Sequence, residues 1–219
     1  MQNNTTKNIV TTVILFVVFI LFTVAVCKVD VAAIGPQGTS VGFAKLNGAI
    51  AKLFPFSEKF YKITNYLGYF ALLICVFFAA IGVLELVQRK SLKKIDPKLI
   101  VLGIFYVAVI VFYVMFIKVV VNYRPVLEDG ALESSYPSSH TMLAVCVFLS
   151  TIIQISSGKG SKGFKSAVKV VMILLTIIMV VGRIVSGAHW FTDIIGGILL
   201  SAALLSMYNA AVKCVEVEE

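Results

Sequence analysis

Apolar and polar residues alternate along this chain in long blocks, not at the short periods of a soluble fold. Six apolar runs stand out, at residues 9–26, 63–87, 99–121, 140–155, 166–185 and 190–212. Most come close to the roughly 20 residues that a helix needs to cross about 30 Å of hydrocarbon; the fourth is somewhat short. Lipid offers no partner to backbone N–H and C=O groups, so a run of this length is read as a helix that satisfies them internally. The pattern predicts an all-α, polytopic membrane protein of six transmembrane helices, organised as one domain over residues 1–219. A signal peptide competes for the first run. Its apolar core is long for that role and Val24-Ala25-Val26 is a poor cleavage site, so an uncleaved helix is expected.

Between the first two runs lies a mixed segment, residues 28–62. Val41, Phe43, Leu46, Ile50 and Leu53 recur there near helical spacing, over a length too short and too polar to span. Two readings stay open: an amphipathic interfacial or re-entrant helix, or an ordinary connector outside the membrane.

Composition agrees with the blocks. The chain is 59% hydrophobic and 14% charged, with a net charge of +8. A basic soluble protein would suggest nucleic acid; here the lysines cluster between apolar runs, so no nucleic-acid partner is expected. The two short basic loops, residues 88–98 and 156–169, fall on one side of a six-span layout. The positive-inside rule makes that side cytoplasmic, with both termini. The cysteines, Cys27, Cys75, Cys146 and Cys214, show no metal or redox spacing and read as small buried hydrophobes.

Charged groups next to this much hydrocarbon are functional candidates. They fall in three stretches, all on the extracytoplasmic side of the layout. Lys118 and Arg124-Pro125 close the third span. Pro137-Ser138-Ser139-His140 opens the fourth. Arg183, His189 and Asp193 join the fifth to the sixth. Three cations, one carboxylate, two imidazoles and two hydroxyls in one pocket call for an anion, and arginine forks suit phosphate oxygens. Helix-opening Ser138 and Ser139 would add backbone N–H donors at a positive helix end. Asp193, one turn from His189, can hold the imidazole by one nitrogen and free the other to attack phosphorus, with His140 as the proton donor. No metal or other cofactor is needed. Glu128, Asp129 and Glu133 form no recognisable ligand motif.

These three stretches resemble the signature of the type 2 phosphatidic acid phosphatase superfamily. Its last motif is Ser-Arg, five residues, His, three residues, Asp; Arg183, His189 and Asp193 fit it, with Gly182 in the place of serine. Its middle motif is Pro-Ser-Gly-His, here with Ser139 for glycine. Its first is Lys, six residues, Arg-Pro; here five residues separate Lys118 from Arg124. The resemblance covers residues 118–193 and the six-span layout. It implies a nucleophilic His189 oriented by Asp193, a general acid His140, and phosphate held by Lys118, Arg124, Ser138, Ser139 and Arg183. The expected activity is metal-independent hydrolysis of a lipid phosphate or diphosphate, of phosphatidic acid or undecaprenyl diphosphate type, through a phosphohistidine. Alternatives are a phosphotransferase with an acceptor other than water, and a lipid or anion transporter without turnover. One residue fewer in the first motif turns a helical side chain by about 100°. Either the third helix ends by Asn122 and the loop re-aims Arg124, or Lys118 is no phosphate ligand; the first is expected, because an unpaired lysine at that depth is costly.

Overall fold

The computed structural model describes residues 2–128, 130–158 and 160–218, with side chains from Lys7 to Glu216. Asp129 of the acidic run and Lys159 of the second basic loop lie outside the described residues. Seven α-helices follow in order: α1 Gln2–Lys28, α2 Ala44–Leu53, α3 Glu58–Arg89, α4 Pro97–Lys118, α5 Ser139–Ser157, α6 Lys162–Val185 and α7 Phe191–Glu218. All but α2 are long and apolar enough to cross a membrane, and no strand occurs among the described residues. The chain is a multi-span, all-helical membrane protein.

Antiparallel alternation of six long helices sets what lies at each end. The basic turns joining α3 to α4 and α5 to α6 share one end, where Lys98 at the start of α4 meets Glu216 near the end of α7 at 3.4 Å. The start of α3, the end of α4, the start of α5, the end of α6 and the start of α7 share the other.

The helices start and stop for local reasons. Asp96 caps α4, accepting from Lys98 N, with Pro97 in the first turn. Ser138 caps α5 through its hydroxyl. α4 ends at Lys118, earlier than the apolar run suggested. Val119 takes φ −96°, ψ 86°, and the β-branched stretch through Val121 leaves the helix. Asn122 is thereby buried and turned inward.

The connector between α1 and α3 does form the amphipathic helix α2, in an inverted sense. Asn47 is its buried polar residue, beside buried Ala44, donating to Gly42 O and Thr192 Oγ1 and accepting from Thr192 N, whereas Leu46 and Leu53 point outward. An apolar outer face suits a helix lying at a membrane surface. Its polar side ties it to the first turn of α7. All four cysteines are free thiols; Cys146 is buried, but Cys27 and Cys214 are exposed, so the buried reading fails for those two.

Packing is tightest around α5 and α7. The rings of Phe105 on α4 and Tyr208 on α7 pack tilted by 30°, 4.7 Å between centroids. Gly196 of α7 lies against Tyr136, where a Cβ would come within 2.4 Å of the ring. Small residues of this kind let membrane helices approach closely.

Candidate active site

Arg183, in the last turn of α6, is fully buried. Its Nη1 donates to Thr64 Oγ1 at 3.0 Å and to Asn65 Oδ1 at 3.2 Å, both on α3. Its Nη2 lies 3.3 Å from His140 Nδ1 and 3.0 Å from His189 Nε2. One guanidinium nitrogen therefore touches both histidines of the chain. The Tyr61 ring lies 5.2 Å from its central carbon, within cation–π range.

The tautomer of His189 follows from its other side. Nδ1 faces the backbone carbonyl of Ser135 at 3.1 Å, and a carbonyl can only accept. Nδ1 therefore carries the hydrogen, and Nε2 keeps its lone pair towards Arg183. Burial, then the charge of Arg183, hold this imidazole well below the usual histidine range, so it is neutral at physiological pH; Arg124 and His140 add to the effect.

Asp193 does not touch His189 directly: Oδ2 stands 4.0 Å from Nδ1. Ser135 lies between them. Its hydroxyl donates to Asp193 Oδ2 at 2.5 Å and lies 2.9 Å from His189 Nδ1. Asn122 Nδ2 donates to Oδ1 at 3.0 Å, and Trp190 N–H to Oδ2 at 3.0 Å. The buried carboxylate is thus satisfied without pairing to an arginine. Trp190 is buried and donates its indole N–H to Tyr123 O at 2.7 Å, so it is a fastener of the loop after α4 and not an interfacial anchor.

Arg124 is buried and ion-paired with Glu128, and its Nη2 is 3.5 Å from Glu133. The Nε atoms of Arg124 and Arg183 are both buried with no partner among the described residues. Orphaned guanidinium donors are costly unless a ligand meets them.

The serines divide. The Ser138 N–H is used by Asp193 O at 2.9 Å, and its hydroxyl accepts from Thr141, which makes it a structural cap. Ser139 and His140 open α5 with backbone N–H groups that find no acceptor among the described residues. Lys118 is exposed at the end of α4 and lines neither cavity at the site. The loop does re-aim Arg124 inward, but Lys118 stays outside.

Two cavities flank the start of α5. One, of about 490 Å³, is lined by Arg124, Ser135 and Ser139 together with Phe116 and Tyr123. The other, of about 350 Å³, is mainly apolar, with Tyr69, Leu72, Val109 and Ile110 along it and His140 and Ser139 at its head. Two local devices shape the junction. Gly187 takes φ +62°, and a Cβ there would come within 2.6 Å of Phe54 O. Ser57 N–H donates to Ser186 O beside it, so the α6–α7 turn sits directly on the entry to α3.

Residues 104–214, just over half of the chain, match the model of the PAP2 superfamily. The chain belongs to this superfamily. It is also similar in structure to a transmembrane PAP2-type phosphatidylglycerolphosphate phosphatase from Bacillus subtilis, with a TM-score of 0.62 at 17% identity, over 90% of this chain and 94% of that one. At that identity the likeness is one of fold. No curated protein matches the chain.

Membership of the PAP2 superfamily makes the departure at Gly182 instructive. A Cβ there would lie 2.7 Å from Thr64 Cγ2. Thr64, on the facing helix, fills the space a serine would need, and its hydroxyl holds Arg183. Ser135, Asn122 and Thr64 went unnoticed in the sequence. Ser135 lies only two residues before the Pro-Ser-Ser-His stretch; Thr64 and Asn122 carry no local mark at all.

Proposed function

We propose that this PAP2 protein is a lipid phosphate phosphatase that works through a phosphohistidine on His189. The observation that carries the reading is the single Arg183 nitrogen within hydrogen-bond distance of both imidazoles. An oxyanion that takes over this donor, together with the orphaned Nε atoms, lies between the two histidines.

His189 Nε2 attacks phosphorus while the lipid oxygen departs. Nδ1–H stays on Ser135, and Asp193 steadies the imidazolium charge through the Ser135 hydroxyl. His140 accepts from Arg183 at Nδ1, so its proton is at Nε2, which faces Gly68 beside the apolar cavity. Once the phosphate takes over Arg183, a second proton at Nδ1 makes His140 an imidazolium; it gives the Nε2 proton to the lipid oxygen, whose chain extends along this cavity, and becomes neutral. Water, deprotonated by the neutral His140, then attacks phosphorus; the P–N bond breaks, phosphate leaves, His189 returns neutral and His140 has regained its proton. Arg183 and Arg124 stabilise the charge on the equatorial oxygens, the main source of catalysis in phosphoryl transfer. None of these steps asks for a metal. The site faces the extracytoplasmic leaflet, opposite the basic loops.

Phosphate release by the purified protein, in EDTA, from phosphatidic acid, undecaprenyl diphosphate and phosphatidylglycerolphosphate tests the reading. The third is included because it names the activity of the structural relative. Release from at least one, lost in His189→Ala, is expected. A strict requirement for added magnesium overturns the mechanism.

A further inference from the structure

Arg124 already has company within the protein. Nη1 pairs with Glu128, and Nη2 faces Glu133. Glu128 also accepts from the Tyr61 hydroxyl, and the Tyr61 ring underlies the Arg183 guanidinium. One carboxylate thus engages the first arginine directly and reaches the second through a single ring. Asp193 does not supply this counter-charge, since its donors are Ser135, Asn122 and Trp190. The pocket is therefore less cationic than its arginines alone suggest. Glu128 sits on a short reversal, where Glu128 and Ala131 exchange backbone hydrogen bonds of 3.1 and 2.9 Å.

We propose that Glu128 is a resident anion on Arg124 and Tyr61 that sets an occupancy threshold for the site: a phosphomonoester displaces it and a phosphodiester at membrane concentration does not. The proposal rests on the phosphate-site reading above. Burial opposes charge on Glu128, but the Tyr61 hydrogen bond and the charge of Arg124 outweigh it and hold the carboxyl below its usual range, so it is ionised at neutral pH. An incoming anion must outbid this tethered carboxylate, which acts at high effective concentration. A phosphomonoester carries roughly −1.5 to −2 at pH 7 and three terminal oxygens. A phosphodiester carries one charge and two such oxygens, and Coulomb attraction scales with charge. Bulk phospholipids are diesters and surround the protein on every side. Without a resident anion they would fill the site by mass action; with one, every anion loses affinity by the same factor, and the more weakly held diester falls below occupancy while the monoester does not.

The test compares competitive inhibition by inorganic phosphate and by dimethyl phosphate. It uses the purified full chain in detergent, with phosphatidic acid, or whichever lipid of the panel is turned over, as substrate. In the wild type, phosphate inhibits far better than dimethyl phosphate. Glu128→Gln keeps the size and the acceptor and removes the charge. It is expected to tighten inhibition by both anions about tenfold, which brings dimethyl phosphate from no measurable inhibition into range. Tyr61→Phe removes one donor to Glu128 and tightens both anions in the same direction, by roughly two- to threefold; it decides alone if Glu128→Gln does not fold. Unchanged inhibition constants in an active enzyme overturn the proposal, as does weakening of both anions, which marks Glu128 as a mere support for Arg124. A wild type that releases no phosphate and is inhibited by neither anion sinks the phosphatase reading itself.

Discussion

The helices α5 and α7 differ from the other four spans in a way that inverts soluble-protein intuition. Half of the most apolar membrane-length window of each is buried, against 11–22% in α1, α3, α4 and α6. Yet α5 and α7 are the less apolar, with mean hydropathy 1.6 and 1.7 against 2.5 to 3.0. In lipid, an outer face must be hydrocarbon, whereas an inner face can trade it for small side chains and internal hydrogen bonds. Ser150, Thr151 and Ser201 are buried on these two helices, each bonded back to its own helix. The ionisable groups hang from their N-terminal ends: His140 in the first turn of α5, and His189 with Asp193 around the start of α7. The outer helices contribute a few inward residues, Arg183 from α6 and Tyr61, Thr64 and Asn65 from α3.

If the inner pair carries the chemistry, His189→Ala brings the largest loss, more than about 10³-fold in phosphate release. Substantial turnover in that variant would break the contrast at its root. Next comes Arg183→Lys, on an outer helix but aimed inward. A point charge cannot meet Thr64, Asn65 and both histidines at once, so kcat/KM is expected to fall about 10²-fold in the same assay. Ser135→Ala sharpens the comparison within the inner site. The Ser135 carbonyl still holds Nδ1, but the link to Asp193 is gone. A fall of roughly tenfold, in kcat more than in KM, is expected.

A pH series probes the buried imidazole. The folded pKa of His189 lies below its ordinary value. The imidazole thus stays unprotonated as pH falls through the ordinary range, and if it is the nucleophile the acid limb of kcat/KM is expected below that of a free imidazole. The unfolded chain takes up the proton that the folded one refuses. Thermal stability in detergent therefore declines as pH drops below about 6.5. His189→Gln should flatten this decline; an unchanged slope would show that another group causes it. Smallest of all, Lys118→Ala on the outside of α4 is expected to change kcat/KM by less than about twofold, since an exposed, solvated charge is screened. A loss as large as that of Arg183→Lys would bring Lys118 back to the phosphate.

The six spans, their alternation and the grouping of His140, Arg183 and His189 at one end were legible in the residues. Hydrocarbon imposes a minimum helix length and the basic loops impose a common side, and both are properties of local composition. The mode of contact was not legible. His189 and Asp193 share a helical face by spacing, but Ser135 stands between them, because the loop after α4 packs across the start of α7. Likewise, Gly182 looked like a lost hydroxyl until α3 brought Thr64 against it. The charge balance of the pocket also belonged to tertiary structure: Lys118 lies outside, whereas Glu128 folds back onto Arg124. Local sequence determines which groups a membrane must bury together, since each carries its desolvation cost wherever it lies. Which partners meet them depends on distances between helices far apart in the chain, and those are set only when the bundle packs.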